Sequence, residues 1–584
     1  MGKAPNTIFP GILALLASWI IFNVEVTLAD SPFPLTWSDK SFGPDGPWQA
    51  VSVSIGKPSQ QVSLYPGGTW SSTVLLTGIC DNRTISTTCY AADSGLYDRN
   101  KSHTVGDDAN NSKHYKPAVL GALPGKASQR VFYDDFDIGL HAIVPNVSIT
   151  GIDDGYQTYP NGHNYPLQVG SLSMGAPQLN HVWGYTMTFV PSYLYTSGGQ
   201  RKTPSYSYAL HIGSASLGIP GSAILGGYDK NRIMGEVSSQ PFTPYASNPG
   251  GNLIIGLQDI GVGVATGGSP WSFNQKSGLL SEANSSLVPP ITMELAPIRP
   301  YMYLPQSTCD SIASLLPVKF DSGLGLYLWD TDNDQYRRII KSPAYLSFLF
   351  QKDSTNNKNI TIKVPFALLN LTLEEPLVEK ATPYFPCFPT TGTYMLGRAF
   401  LQAAFIAENY GTGSGYGSWF LAQAPGPGLV DISDQKVIEE DADKIPATDN
   451  SWEVSWNSYW TPLSSAIDNS TNSTSDSTSS SSSELSQGGT IGVGVGVGVG
   501  GTAVLCLIVW FLARRRQKKK QGLNAVPATA NCNGPSKETN GGDRTLRPKE
   551  NWQSYSPQEM GHNVPNTLFE APGTPRKEER YELY

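Results

Sequence analysis

The chain has 584 residues, of which 39% are hydrophobic and 15% are charged, and its formal net charge is −8. A chain of this length predicts two or more folded units, and its modest negative charge gives no support to nucleic-acid binding. The many Gly (59) and Pro (44) residues, with plentiful Tyr and Trp, indicate a β-rich body with frequent turns.

The first 29 residues have the pattern of a secretory signal peptide. Lys3 supplies a positive charge, residues 8–22 are mostly apolar, and small residues end the segment at Ala29. A permanent membrane anchor is the alternative, but the apolar run is short and Pro10 interrupts it. We therefore expect residues 1–29 to direct the chain into the secretory pathway and to be cleaved.

Residues 30–425 are predicted to form the folded body. Apolar and polar residues alternate at Val51, Val53 and Ile55, and turn signals such as Gly226-Gly227 recur. Such alternation is typical of half-buried strands. Amphipathic helices are scarce, and the best candidate is Ser307–Leu316. The predicted class is all-β with a few small helices.

Cysteine placement agrees with a secreted body. Four cysteines permit three pairings. We favour one short local loop and one longer link, Cys80–Cys89 and Cys309–Cys387. Cys506 and Cys532 are expected to be reduced, or for Cys506 lipidated.

The sequence after residue 425 predicts a stalk, a membrane span and a tail. Residues 426–488 are acidic and then Ser/Thr-rich, which predicts a disordered stalk. Residues 489–513 contain no charged residue and are long enough to cross a bilayer as one transmembrane helix. Residues 514–584 begin with a basic cluster and continue as a polar, disordered tail.

The basic cluster, residues 514–520, predicts orientation as well as a lipid partner. Positive charges remain on the cytoplasmic side, so the N-terminus is expected outside, at the plasma membrane or cell surface. The same cluster would attract anionic lipid, although a role in topology alone explains it equally well. Gly492, Gly496 and Gly500 form a small-residue stripe that would let two spans dimerise, with a span that does not dimerise as the alternative.

Sequons for N-glycosylation support this topology, because all of them precede the predicted span. Glycosylation occurs on the extracytoplasmic side, and a one-sided distribution is more informative than any single site. The nine predicted glycosylation sites are Asn82, Asn100, Asn110, Asn146, Asn284, Asn359, Asn370, Asn469 and Asn472.

Several landmarks between residues 45 and 425 resemble the pepsin-like aspartic peptidase family (peptidase A1), in that family's order. They are Gly56–Gln60, the Cys80/Cys89 loop, Tyr208–Leu210 with Gly221–Asp229, Tyr394–Leu401 and Gly417–Ala422. The resemblance implies a bilobal all-β fold with a peptide-binding cleft between the lobes. The layout, with its stalk and span, is similar to membrane-anchored fungal members of the family.

The resemblance also implies a catalytic aspartate in each lobe, and both are missing. Gly67 occupies the first expected position, or Tyr65 if the register slips by two, and Ala296 occupies the second. A peptidase of this type needs two carboxylates that share one proton. The sequence therefore predicts a pseudoenzyme without catalytic residues, metal or cofactor.

Two Asp-Ser-Gly tripeptides are the alternative sources of catalytic carboxylates. Asp93 and Asp321 begin them, but neither follows the expected hairpin. We interpret both as Asx-type turns. Glu294 is the acidic residue near the second position, and a strand would direct it to the same face as Ala296. One carboxylate cannot form the shared-proton pair, so Glu294 is expected to be exposed or salt-bridged.

Three hypotheses for function follow. The first is a single-pass cell-surface glycoprotein whose non-catalytic ectodomain binds a peptide or senses a ligand, with Tyr65, Arg299 and Tyr301 near the cleft floor unless they only fill space. The second is an active aspartic endopeptidase that uses Asp93 and Asp321. The third is a surface adhesion or structural protein with a cell-wall ligand. Loss of a bound peptide on mutation of cleft residues would separate the first from the third.

Overall fold

The computed structural model describes residues 31–68, 70–107, 123–140, 142–176, 188–196, 203–242, 251–353, 357–411, 417–429 and 432–464. Strands dominate these residues, which confirms the mostly-β prediction. In chain order the strands are β1 (Phe33–Pro34), β2 (Trp37–Phe42), β3 (Trp48–Ile55), β4 (Gln60–Gly68), β5 (Ser72–Leu75), β6 (Gly106–Asp107), β7 (Gly125–Asp137), β8 (Ile143–Thr158), β9 (Asn164–Pro166), β10 (Gly170–Ser173), β11 (Ser207–His211), β12 (Ser222–Leu225), β13 (Gly227–Asp229), β14 (Met234–Pro241), β15 (Leu253–Val264), β16 (Gln275–Lys276), β17 (Ile291–Leu295), β18 (Met302–Leu304), β19 (Val318–Asp321), β20 (Leu326–Trp329), β21 (Ala344–Gln351), β22 (Asn359–Pro365), β23 (Leu371–Leu373), β24 (Thr382–Phe385), β25 (Cys387–Pro389), β26 (Met395–Leu396), β27 (Ala404–Asn409), β28 (Ser418–Gln423) and β29 (Gln435–Val437).

Helices within the described residues are short. The α-helices are α1 (Val190–Thr196), α2 (Gln306–Ala313), α3 (Asp334–Lys341), α4 (Arg398–Leu401) and α5 (Trp452–Trp456), and the 3-10 helices are Thr77–Cys80, Tyr90–Ser94, Arg99–Lys101 and Lys230–Arg232. The helix predicted over Ser307–Leu316 is present as α2, which begins one residue earlier and ends at Ala313.

Three large sheets build the body. A nine-stranded sheet from the N-terminal half has the order β2-β3-β4-β10-β5-β8-β7-β6, with β9 added to β8. An eight-stranded sheet from the C-terminal half has the order β22-β21-β15-β17-β26-β18-β25, with β16 added to β15. A six-stranded sheet, β1-β12-β11-β27-β28-β14, combines strands of both halves. Smaller sheets are β19-β20-β24-β23 and β13-β29.

The alternation in the sequence determines which face of each strand is buried. Val53 and Ile55 of β3 are buried, whereas the intervening Ser54 is partly exposed. β21 alternates in the same way along its whole length, as expected for strands with one face on the core. All described residues fall within one compact unit.

Both favoured disulfides are confirmed. Cys80 pairs with Cys89, closing the local loop beside β5, and Cys309 of α2 pairs with Cys387 of β25. The second disulfide therefore ties a helix to the edge of the eight-stranded sheet.

The folded body extends beyond residue 425, so the boundary predicted there is too early. β29 pairs with β13, and three tryptophans of the supposed stalk, Trp452, Trp456 and Trp460, are buried. The acidic composition of residues 431–449 suggested a stalk, but the apolar residues within it and the tryptophans after it bury enough surface to fold. The Ser/Thr-rich residues 465–488 lie outside the described residues.

The signal peptide, the span at 489–513 and the tail also lie outside the described residues. Among the residues that are described, no helix is long and apolar enough to cross a membrane.

Candidate functional site

The two chain segments that would carry catalytic aspartates meet face to face. A Cβ atom added to Gly67 would lie 2.4 Å from the Cβ atom of Pro297. Gly67 also has a φ of +110°, in the region that favours glycine. The first expected position is therefore occupied by backbone packed directly against the second segment, with no room for a side chain.

The second segment is held by its own strand. Ala296 follows β17, is buried, and donates its backbone N–H to the carbonyl oxygen of Leu396 at 2.9 Å. Its own carbonyl accepts the N–H of Arg299 at 2.9 Å, which closes a turn around Pro297. Neither Gly67 nor Ala296 provides an ionisable group.

The two segments have equivalent strand partners. β4 pairs in parallel with β10, with Pro66 opposite Leu172. β17 pairs in parallel with β26, with Leu295 opposite Leu396. Each expected position thus lies at the end of a strand that has a short parallel neighbour from later in the same half.

An arginine stacked on aromatic rings lies beside the first segment. The Arg398 guanidinium is 4.0 Å from the ring centroid of Tyr65 and 4.9 Å from that of Trp48. Its Nη1 donates to the carbonyl oxygen of Ile298 at 2.8 Å. Such stacking stabilises a desolvated cation. Arg398 and Tyr65 are only 5% and 6% exposed.

Tyr65 lines this site, and its phenol does not take the place of a catalytic carboxylate. Its hydroxyl is buried and has no hydrogen-bond partner. Burial raises the pKa of this phenol, the Arg398 charge opposes the rise, and the charge of Asp45 adds to it. The phenol therefore stays protonated and offers a free donor.

Tyr301 fills space between the two halves of the body. It is fully buried, and its hydroxyl lies 2.8 Å from that of Tyr159, which belongs to the other half. Its ring stacks on Phe388 with a centroid separation of 5.6 Å. Tyr301 therefore fills space, which was the alternative to a role at the cleft floor. Its contact with Tyr159 closes that part of the interior.

Further hydrogen bonds join the halves around the same place. The Tyr384 hydroxyl donates to the Asp45 carbonyl at 2.6 Å. The Asn161 N–H donates to the Gly323 carbonyl at 2.8 Å. The Asp45 carboxylate accepts the indole N–H of Trp48 at 2.8 Å.

Arg299 and Glu294 lie on the second segment without pairing. Both are half-buried, and no ion pair of 4.0 Å or less joins either to another described residue. Burial raises the pKa of Glu294, opposed by the nearby charge of Arg299. Glu294 is in β17 as expected, but it is neither exposed nor salt-bridged, because the sheet covers it.

The two alternative aspartates are in separate local structures. The Asp321 carboxylate accepts the N–H groups of Gly323 and Leu324, each at 2.9 Å, which confirms the Asx-type turn. Asp93 is exposed in the 3-10 helix Tyr90–Ser94. There the side chain of Ser94, which donates to Ala91 and Gln168, makes the local bonds, so the Asx-turn prediction for Asp93 is wrong.

A small cavity adjoins the stacked arginine, and a larger groove lies beside that cavity. The small cavity measures about 80 Å³ and is lined by residues that include Asp45, Tyr65, Tyr159, Gln168 and Arg398. The groove measures about 670 Å³. The two share the lining residues Gly43, Pro44, Gln168 and Val169, so they lie side by side.

Sequence reasoning named Tyr65 but missed most of the cavity wall. Asp45 and Arg398 come from segments far apart in the chain, and Arg398 reaches Tyr65 only in the tertiary structure, where the two halves meet. One signal was present: Arg398 directly follows the Leu-Gly pair of the segment that resembles the peptidase family.

The predicted glycosylation sites that the structure describes are compatible with modification, since none is buried: Asn82, Asn100, Asn146, Asn284, Asn359 and Asn370. Asn110, Asn469 and Asn472 lie outside the described residues. Among the described residues, no group of three His, Cys, Asp or Glu side chains is placed to hold a metal ion.

Comparison with known proteins provides no family assignment for the chain. No protein-family model matches the chain, and no curated protein matches it.

Proposed function

We propose that the chain is a single-pass cell-surface glycoprotein whose ectodomain has a pepsin-like fold that binds peptides without cleaving them. The observation that carries the proposal is the contact of Gly67 with Pro297. A peptidase of the pepsin type needs two carboxylates at this point, sharing a proton and activating water. In this chain the backbone of Gly67 and the ring of Pro297 occupy that point instead.

Support for the pepsin-like fold comes from the repeated strand arrangement. In each half, a strand ends at an expected aspartate position beside a short parallel strand, β4 with β10 and β17 with β26. The two strand ends meet, and the six-stranded sheet combines strands of both halves. These features match the two-lobed layout that the sequence resemblance implies.

Peptide binding survives the loss of catalysis because it depends on different groups. Extended peptides bind through backbone hydrogen bonds and side-chain pockets. The groove and the small cavity offer such a surface, and the two expected aspartate positions, Gly67 and Ala296, do not line it.

A cleavage assay tests the non-catalytic half of the proposal. The full chain in detergent micelles would be incubated with a peptide library from pH 3 to 7, with and without pepstatin, after near-UV circular dichroism has shown that it is folded. We expect no pepstatin-sensitive cleavage. Cleavage that disappears in Asp93→Ala or Asp321→Ala would overturn the proposal in favour of an active endopeptidase.

The membrane topology needs its own experiment. A C-terminal epitope tag should be reached by antibody only after permeabilisation of cells, whereas glycosidase treatment of intact cells should shift the mass of the chain. Tag staining on intact cells would contradict the orientation.

A further inference from the structure

Three residues that line the small cavity each carry a hydrogen-bond donor atom without a partner among the described residues. These atoms are the Tyr65 hydroxyl, the Arg398 Nε and the Gln168 Nε2, each of them buried. A buried donor left unpaired costs about 1–3 kcal/mol, so such a cluster favours an occupant that accepts hydrogen bonds. Tyr65 and Arg398 are both more than nine-tenths buried, so bulk water does not satisfy these atoms.

The charge in the cavity also favours an acceptor. No carboxylate among the described residues lies within 4.0 Å of the Arg398 guanidinium, which contacts two aromatic faces and one carbonyl oxygen. Asp45 also lines the cavity, but one of its carboxylate oxygens accepts the Trp48 indole N–H. Arg299 adds a second positive charge close enough to interact with Arg398.

The adjoining groove has the opposite charge. Asp93, Glu374, Glu375 and Glu379 line it, over apolar residues that include Phe42 and Pro47. All four carboxylates belong to exposed residues. Tyr90 donates to Glu375 at 3.3 Å, and no ion pair with another described residue neutralises any of the four.

A ligand that suits both the cavity and the groove has a carboxylate at one end and positive charges along the rest of its chain. The cavity is about 80 Å³, enough for a carboxylate group and one or two waters. The groove beyond it, about 670 Å³, accommodates several residues of extended chain. The two share lining residues, so an extended ligand with one end at the cavity has the groove next to it.

We propose that this cavity binds a carboxylate carried by a cationic peptide, held by Tyr65, Gln168 and Arg398, while the acidic groove binds the basic residues next to it. This inference rests on the proposed peptide-binding function and names its ligand class. The carboxylate comes from the peptide C-terminus or from an acidic side chain, and the two sources have the same chemistry at the cavity.

Fluorescence polarisation with the full chain in detergent micelles tests the proposal. The first probe is a fluorescein-labelled hexapeptide with four basic residues and a free C-terminal carboxylate. The second is the same peptide amidated, and the third is amidated but carries one aspartate. We expect amidation to weaken binding at least 10-fold, because hydrogen bonds to a charged group contribute about 1.5–3 kcal/mol. Recovery with the third probe would assign the carboxylate to a side chain.

Tyr65→Phe is the decisive variant, because the lost hydroxyl has no partner among the described residues and folding should be unaffected. It should weaken the free-acid peptide about 10-fold and leave the amidated peptide unchanged, since only the first uses the donor. Tyr206→Phe is the matched control. Its hydroxyl contacts Ala176, and it does not line the cavity. Equal losses for both probes in Tyr65→Phe would overturn the carboxylate assignment.

The groove is tested with exposed carboxylates. The double substitution Glu374→Gln and Glu379→Gln should weaken the basic peptide several-fold and flatten its salt dependence, whereas Glu439→Gln, exposed outside the groove, should not. Binding that ignores both peptide charge and amidation would overturn this inference and leave the proposed function standing. Absence of binding by any library peptide would overturn the proposed function itself.

Discussion

Gly67 lies so close to Pro297 that a Cβ atom on the glycine would be 2.4 Å from the Cβ of the proline. Real Cβ atoms do not approach other atoms this closely, so the contact excludes every residue except glycine unless the two segments separate. The backbone at Gly67 therefore has no room for an aspartate side chain while Pro297 stays in place.

Substitution of Gly67 should destabilise the body and should not create a peptidase. Gly67→Ala combines strain at positive φ, about 1–3 kcal/mol, with overpacking of about 1–3 kcal/mol. Chemical denaturation measures the sum. Gly162→Ala is the control, since Gly162 has a φ of +78° and nothing within 4 Å of an added Cβ. It isolates the strain, and equal losses in the two variants would show that Pro297 moves aside freely. Gly67→Asp with Ala296→Asp should still cleave no peptide.

The contribution of Glu408 to the stability of the folded body should decrease as the pH rises. Burial raises its pKa from 4.5 to about 7, with the Tyr208 hydrogen bond opposing the rise. The folded state then holds a proton that the unfolded state has released, so this stability is complete below pH 4.5 and is lost as the pH rises through 7. The total is about 3 kcal/mol. Urea denaturation from pH 4 to 8 should reveal this slope as the difference between the unsubstituted protein and Glu408→Gln, which lacks it. An unchanged slope in the variant would exclude Glu408 as its source.

His211 should have the opposite effect over an overlapping range. Burial, followed by the charge of Arg232, lowers its pKa from 6.5 to about 3. The unfolded state therefore binds the proton first, and stability present above pH 6.5 is lost as the pH falls toward 3, by about 5 kcal/mol at most. His211→Gln should make acid unfolding begin at lower pH. Between pH 4.5 and 6.5 the two groups oppose each other, so Glu408→Gln should steepen the acid loss there.

The two disulfides should contribute unequally. Cys309–Cys387 spans 78 residues and Cys80–Cys89 spans 9. Loop-closure entropy then predicts about 4 kcal/mol for the first and about 2–3 kcal/mol for the second. Pairwise Cys→Ala variants in thermal denaturation measure both contributions. A larger loss from the short loop would mean that contacts of the loop, rather than unfolded-chain entropy, control its contribution.

Truncation should locate the end of the folded body. A chain that ends at Pro425 loses three buried tryptophans and the β13–β29 pairing, whereas a chain that ends at Ser464 keeps them. Loss of one buried Trp side chain costs about 3–5 kcal/mol, so the shorter chain should be unfolded or should melt far below the longer one. Trp456→Ala in the full chain, which removes the stacking on Trp460, should give part of the same loss. Equal melting of both truncations would return the boundary to 425.

Some of the fold was predictable because it depends on local pattern. The alternation of apolar and polar residues in β3 predicts a strand with one buried face. The glycines indicate the turns that end such strands. The cysteine spacing also favoured the short Cys80–Cys89 loop, which the structure contains. The boundary predicted at residue 425 was wrong because the stretch before Trp452 is acidic on average. Folding there depends on a few large side chains that become buried, and average composition does not report them.

By itself the sequence determined the β-rich class and the absence of aspartate at Gly67 and Ala296, and it favoured the disulfide pairs that the structure contains. Only the tertiary structure decided that Pro297 packs against Gly67, that Tyr301 is buried by Tyr159, and that Arg398 stacks on Tyr65 beside a cavity with unpaired donors. Even the shortest sequence separation among these contacts, between Tyr159 and Tyr301, is 142 positions. The geometry of these contacts depends on which strands pair across the sheets, and a local pattern does not contain that information.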